Sequence, residues 1–90
     1  MNALPVGWVK GDCPGIVPRW EIGDLWWKHI GATYAVHGMN GGYKCYRAYY
    51  TNLGKAGDKR HTWQRLNTAP VFDDPVAAMV WLEIKLGDML

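Results

Sequence analysis

Serine is absent from this 90-residue chain, and only two residues are cysteine. The first absence excludes a serine nucleophile, and the second allows one disulfide at most, between Cys13 and Cys45. The first residues, MNALPVGWVKG, contain no apolar core of the kind that a secretory signal needs. No apolar run approaches the ~20 residues of a membrane span. These absences predict a soluble, cytoplasmic protein with reduced cysteines.

Motifs that support chemistry are missing as well. The three histidines and two cysteines do not form a Cys-x-x-Cys or His-x₃₋₅-His pair, and His37 with Cys45 across a hairpin would supply only two zinc ligands. Cys45 falls inside a predicted strand, where thiols are usually buried and inert. The adjacent pair Asp73-Asp74 is explained as a helix cap. The sequence therefore predicts no catalytic residue, no metal and no cofactor.

Aromatic residues, in contrast, are abundant: six Trp, five Tyr and one Phe. Each large ring can bury roughly 150–250 Å², and a chain of this length forms one small core. We therefore expect some rings to remain exposed as a binding surface. Glycine and proline in residues 1–19 predict an irregular N-terminal arm, followed by a single domain over residues 20–90.

The predicted fold is α+β, with a three- or four-stranded antiparallel sheet and one C-terminal helix packed on one face. Residues 20–28 alternate loosely as a strand that is interrupted at Gly23-Asp24. Residues 32–37 and 43–51 are rich in β-formers and flank Asn40-Gly41, which favours a two-residue hairpin turn. Gly41-Gly42 offers a competing register. Residues 52–62 are predicted as a polar loop and residues 63–68 as a third strand.

A helix is predicted over residues 75–86, because Asp74 suits the N-cap, Pro75 the first helical position and Gly87 the end. One apolar face is formed by Val76, Met79, Val80, Ile84 and Leu86. Trp81, Leu82 and the Ala77-Ala78 pair widen that face until it covers most of the helix. Such a helix is shared with a partner, or else the N-terminal arm covers its second side. The candidate protein-interaction residues are Trp26, Trp27, Met79 and Trp81.

Basic and aromatic residues interleave in the middle of the chain. Between Lys44 and Arg65 there are six basic residues and one acid, Asp58. Cations suit phosphates and rings suit bases, so this pattern indicates a nucleic-acid surface. The candidate residues for this alternative are Lys44, Arg47, Tyr49, Lys55, Lys59, Arg60, Trp63 and Arg65.

Two resemblances bear on function. The order of three strands and a helix, with Trp63 in the third strand and the run Phe72-Asp73-Asp74-Pro75-Val76-Ala77-Ala78, resembles AP2-type DNA-binding domains. In that family the sheet enters the major groove and the helix packs behind it. The chain also resembles small phage and prophage accessory proteins in its size, tryptophan content, hairpin and single helix. Some of those proteins bind and block a host protein.

The sequence therefore predicts a non-catalytic binding protein. Its first expected partner is a protein or a second copy of the chain, bound through exposed aromatics and the apolar helix. Nucleic acid, bound through residues 43–65, is the alternative.

Overall fold

The computed structural model describes residues 4–17, 19–52 and 59–89, and within these ranges it is an α+β fold with a curled, mixed six-stranded sheet and one C-terminal helix. The elements are β1 (Val9–Lys10), β2 (Ile16–Val17), β3 (Asp24–Ile30), β4 (Ala32–Met39), β5 (Gly42–Asn52), β6 (Lys59–Arg65) and α1 (Pro75–Met89). The strand order is β1-β3-β4-β5-β6-β2. No described helix is long and apolar enough to cross a membrane.

The predicted hairpin turn lies between β4 and β5. Asn40 and Gly41 both have positive φ, 50° and 82°, and Met39 pairs with Gly42. Two successive residues with positive φ are the requirement of a type I′ turn, whose twist matches that of the flanking strands. The competing Gly41-Gly42 register is not adopted.

Three features of the sheet differ from the sequence prediction. It has six strands rather than three or four, and two of them, β1 and β2, lie in the predicted irregular arm. The third predicted strand, residues 63–68, is displaced: β6 begins at residue 59 and ends at residue 65. Residues 59–62 therefore extend a strand rather than a loop, and residues 53–58 of that predicted loop lie outside the described residues.

The two additional strands are products of tertiary pairing. β1 pairs antiparallel with Trp26 and Trp27 of β3, whereas β2 pairs parallel with His61 and Thr62 of β6. A strand of two residues is too short to show an alternation of apolar and polar residues in the sequence. Only its pairing with an edge strand of the sheet therefore specifies it.

The sheet is buried on both faces. The helix face carries Tyr34, Val36 and Cys45, which pack with Met79 and Leu82 of α1. The opposite face, here called the arm face, is a second cluster covered by the segment before β3. Its members are Leu25, Ala35, Tyr46 and Trp63, with Cys13, Ile16 and Trp20 packed over them.

The segment before β3 is also attached to the flank of α1. The Trp8 indole N–H donates to Glu83 Oε1 at 3.0 Å, and Lys28 Nζ lies 2.6 Å from the same oxygen. Lys28 Nζ donates in addition to the Val6 carbonyl oxygen at 2.8 Å. The segment thus lies beside the helix, and the outer residues Val80 and Ile84 stay exposed.

The helix start confirms the expected cap. The Val76 backbone N–H donates to Asp74 Oδ1 at 3.1 Å, and the Ala78 N–H donates to the Asp74 carbonyl oxygen. Pro75 occupies the first helical position, where its missing N–H costs nothing.

We expect Asp74→Ala to lower the free energy of unfolding by ~1 kcal/mol, because it leaves a helix-terminal N–H without its side-chain acceptor. For a domain of this size, that loss lowers the melting temperature by about 4–8 °C. Asp73→Ala is the matched control, since Asp73 is exposed. Equal melting temperatures for the two variants would contradict the cap.

Glu83 predicts an acid-dependent loss of stability. The hydrogen bond from Lys28, together with that from Trp8, holds the pKa of Glu83 below its usual value. A lowered folded-state pKa stabilises the fold above the unfolded-state pKa, and that contribution is lost as pH falls through the folded-state value. Wild type should therefore exceed Glu83→Gln in stability at about pH 6, and the difference should shrink as the pH falls below the usual pKa of a glutamate, about 4.3.

Denaturant unfolding of both proteins across this pH range measures the difference. Glu21→Gln is the control, because Glu21 is exposed in the segment before β3. A wild-type advantage over Glu83→Gln that does not change with pH would show that the carboxylate is not the stabilising group.

Candidate functional site

The outer side of α1 carries an exposed apolar stripe. With about 100° between successive residues, Val80 and Ile84 lie one turn apart and opposite the buried side. Their exposed fractions are 41% and 58%. Packing within the protein does not explain this aliphatic pair, because both side chains lie on the solvent side of the only described helix.

One flank of this stripe is the segment before β3. Val6 is 90% exposed, and Lys28, which binds its carbonyl oxygen, also binds Glu83 of α1. Glu83 adjoins Ile84 in sequence and lies one turn from Val80. We use the name helix patch for Val80 and Ile84 together with the neighbouring Lys28–Glu83 ion pair and Val6, whose carbonyl oxygen accepts from Lys28.

The other flank of α1 borders a groove between the helix and the sheet. Its volume is about 410 Å³, within the usual range for small-molecule sites. Leucine side chains from the loop after β6 and from the helix contribute to its apolar surface, together with aromatic rings. The groove is lined by Tyr34, Arg47, Tyr49, Leu66, Thr68, Trp81, Leu82, Lys85 and Leu86.

Two cations in the groove lie against aromatic rings. The Arg47 guanidinium carbon is 4.7 Å from the Tyr49 ring centroid and 6.0 Å from that of Tyr34. Arg47 Nη1 also donates to the Tyr49 hydroxyl at 3.1 Å, whereas Arg47 Nε is buried and has no hydrogen-bond partner. Lys85 Nζ lies 6.0 Å from the Trp81 ring centroid. None of the described residues that line the groove is acidic.

The four predicted protein-interaction residues lie in three different environments. Trp26 is 7% exposed and Met79 is fully buried, so both are core residues that present little or no surface to a partner. Trp27 is half-buried and packs against the arm-face cluster. Trp81 is half-buried, with its ring centroid 6.2 Å from that of Phe72, and it forms one wall of the groove.

The sequence analysis assigned Val80 and Ile84 to the same apolar face as Met79. The structure separates them, because the buried residues of α1 are Ala78, Met79, Leu82 and Leu86. The spacing of Val80 and Ile84 was visible in the sequence. The spacing alone did not indicate whether the stripe with Met79 or the stripe with Val80 and Ile84 faces the sheet.

The predicted nucleic-acid residues do not form one surface. Arg47 and Tyr49 face the groove, whereas Lys44 and Arg65 lie on the arm face by strand alternation and by the pairing of Tyr46 with Arg65.

Three further residues of this set belong to β6. Trp63 is 2% exposed and belongs to the core, so no base can stack on it. Lys59 and Arg60 have their backbones in β6, but their side chains lie outside the described residues, as does the whole of Lys55.

The arm face has a smaller pocket beside a stacked pair of rings. Trp20 and His37 lie 3.9 Å apart and nearly parallel, and His37 Nε2 is 3.0 Å from the Ile22 carbonyl oxygen. Burial lowers the pKa of His37, although the Ile22 carbonyl opposes this effect. The His37 Nε2–H donates to the Ile22 carbonyl oxygen and thereby secures the end of the segment before β3.

The thiols are poor nucleophiles in their surroundings. Burial raises the pKa of Cys45 to about 12 and raises that of Cys13 as well. Both therefore remain protonated at neutral pH. Among the described residues, no three His, Cys, Asp or Glu side chains are grouped closely enough to hold a metal ion.

Comparison with known proteins does not assign the chain to a family. No family model matches it, and no curated protein or solved structure is significantly similar to it.

Proposed function

We propose that this protein is a non-catalytic binding protein that contacts another protein through the helix patch. The observation that carries this proposal is the exposed aliphatic pair Val80 and Ile84 on the outer side of α1. Val6, which is 90% exposed, is joined to the same helix through Lys28, which binds both the Val6 carbonyl oxygen and Glu83. Exposed apolar side chains that adjoin one another, with polar residues around them, are typical of protein-binding surfaces.

The energetics favour burial of this patch. Covering a fully exposed Val or Ile side chain contributes roughly 1.5–3 kcal/mol, so Val80 and Ile84, which are 41% and 58% exposed, would each contribute roughly half of that. Together with Val6, this is enough for the centre of a weak interface. The Lys28–Glu83 ion pair is already formed within the protein, with side chains 26% and 31% exposed. A partner therefore does not have to dehydrate two unpaired charges when it covers the patch.

Two kinds of partner fit the helix patch: a second copy of the chain and a different protein. A second copy of the chain would place two α1 helices across a two-fold axis, with Val80 and Ile84 of each in contact. A different protein would present an apolar surface of its own. The mass in solution distinguishes these cases.

We expect the double variant Val80→Lys/Ile84→Lys to fold with nearly wild-type stability and to lose binding, because both side chains are exposed and lysine is a favourable helix residue. Sedimentation measures self-association, and affinity capture from the lysate of the encoding organism measures other partners. Ile22→Lys is the control, because Ile22 is 69% exposed but lies in the segment over the arm face.

The proposal predicts that wild type and Ile22→Lys both form a dimer or both capture the same protein. The double variant should do neither. A monomeric wild type with no captured protein would contradict it. So would a partner that the double variant retains.

Nucleic-acid binding is a second candidate, and the pairing of cations with rings along the groove favours it. Tyr49 is 37% exposed beside Arg47, and Lys85 lies over Trp81. Each phosphate neutralised releases counterions, and the log–log slope of affinity against salt is about −0.9 per phosphate on a duplex. Two groove cations therefore predict a slope of about −2.

A salt titration against duplex DNA, single-stranded DNA and RNA tests this candidate. Arg47→Gln/Lys85→Gln should abolish most of the salt dependence, while Lys44→Gln, on the arm face, should leave it unchanged. Tyr49→Ala should weaken single-strand binding by ~1–3 kcal/mol if a base stacks there. If the protein binds none of these three nucleic acids at low salt, nucleic-acid binding is eliminated, because charges are screened least at low salt.

A further inference from the structure

We propose that the groove between α1 and the sheet is a binding site for a small aromatic carboxylate. The site is separate from the helix patch. It lies on the other flank of α1, and the two surfaces have no residue in common.

The first argument is the size and surface of the groove. About 410 Å³ accommodates a ligand of one or two rings, and the lining combines leucines with the rings of Tyr34, Tyr49 and Trp81. Small-molecule sites have this composition, in which apolar and aromatic side chains supply contact area and a few polar groups fix the orientation. The ligand therefore has an apolar, preferably flat, body.

The second argument is charge. Arg47 and Lys85 both line the groove, and no described lining residue is acidic. Two cations that line one groove without a counter-anion raise the electrostatic energy of the empty site and lower that of a bound anion. Neither residue takes part in a described ion pair with a carboxylate.

The third argument is the state of the Arg47 guanidinium. Its plane is restrained by Tyr34 and Tyr49, and its Nη1 is already used by the Tyr49 hydroxyl. Its buried Nε has no acceptor, which is costly for a donor removed from water. A small turn of the guanidinium toward a carboxylate in the groove would supply that acceptor. Arginine binds carboxylates well because its donors form a planar fork.

Among the side chains that the structure describes, the distribution of the other cations favours a small anion over a polyanion. Lys44 and Arg65 are on the arm face, so the positive surface at the groove does not continue along them. A nucleic-acid strand needs a track of cations, whereas one carboxylate needs the two that the groove provides.

The experiment compares two ligands that differ in charge and hardly in shape. We would titrate the protein with 1-naphthaleneacetate and with 1-naphthaleneacetamide and follow the indole N–H signal of Trp81 and the amide signals of Arg47 and Leu82 by NMR. The carboxylate should bind with a dissociation constant of about 1 mM or tighter, as expected for a ligand of this size. The neutral amide should bind about tenfold more weakly, because it lacks the charge-assisted hydrogen bonds.

Charge-removing variants locate the site. Lys85→Gln and Arg47→Gln should each weaken binding of the carboxylate by about tenfold and leave binding of the amide nearly unchanged. Lys85 is exposed, so its variant tests the proposal even if Arg47→Gln disturbs the packing of Tyr34 and Tyr49. Lys44→Gln is the matched control, since it removes the same charge from the same strand as Arg47 but on the opposite face.

Four results would overturn the proposal. They are no binding of the carboxylate, equal binding of carboxylate and amide, equal weakening by Lys44→Gln and Lys85→Gln, and displacement of the carboxylate from the groove by a short oligo-deoxythymidine that binds more tightly. The last result would identify single-stranded nucleic acid as the occupant.

Discussion

Burial of the central hairpin on both faces is the constraint on which the rest of the structure depends. Ala35 and Val36 are consecutive residues of β4 and both are fully buried, while Cys45 and Tyr46 of β5 are 1% and 5% exposed. Consecutive residues of a strand point to opposite faces, so both faces of the sheet must be covered. A 90-residue chain with one described helix can cover only one face with that helix. The segment before β3 has to cover the other.

This constraint explains why the described residues of the segment before β3 pack against the sheet although the segment is rich in glycine and proline. Trp20 stacks on His37 and lies edge-on to Tyr46, and Arg19 donates to the Trp63 carbonyl oxygen at 3.1 Å. The same segment begins on the opposite side of the sheet, where Trp8 joins the core under α1 and binds Glu83. The segment before β3 therefore contributes to the core on both faces of the sheet. Without Trp8 and Trp20, part of the apolar surface on each face of the sheet would be exposed.

The parts of the fold that the sequence predicted are those with local causes. Asn40-Gly41 specifies its turn through backbone conformation, and Asp74-Pro75 specifies the helix start through hydrogen bonding, so neither depends on tertiary contacts. The strands β1 and β2 depend only on the edges that they cover, and no local pattern predicts them. The same holds for the site. The periodicity of α1 revealed apolar residues all around the helix, but only the packed structure distinguishes buried Met79 from exposed Val80.

The groove between α1 and the sheet exists because α1 covers only part of the helix face. The helix packs over β4 and β5 and does not cover the whole sheet, so the helix face of β5 beyond Cys45 carries Arg47 and Tyr49 instead of aliphatic residues. A wholly apolar surface at that position would be an exposed patch open to aggregation, and a wholly polar one would not support Leu82 and Leu86. Arginine stacked on tyrosine satisfies both requirements, because its stem and guanidinium plane pack against the rings while the group remains charged. The arrangement that closes the edge of the core thereby leaves a cation beside aromatic rings, and the proposed carboxylate site depends on this arrangement.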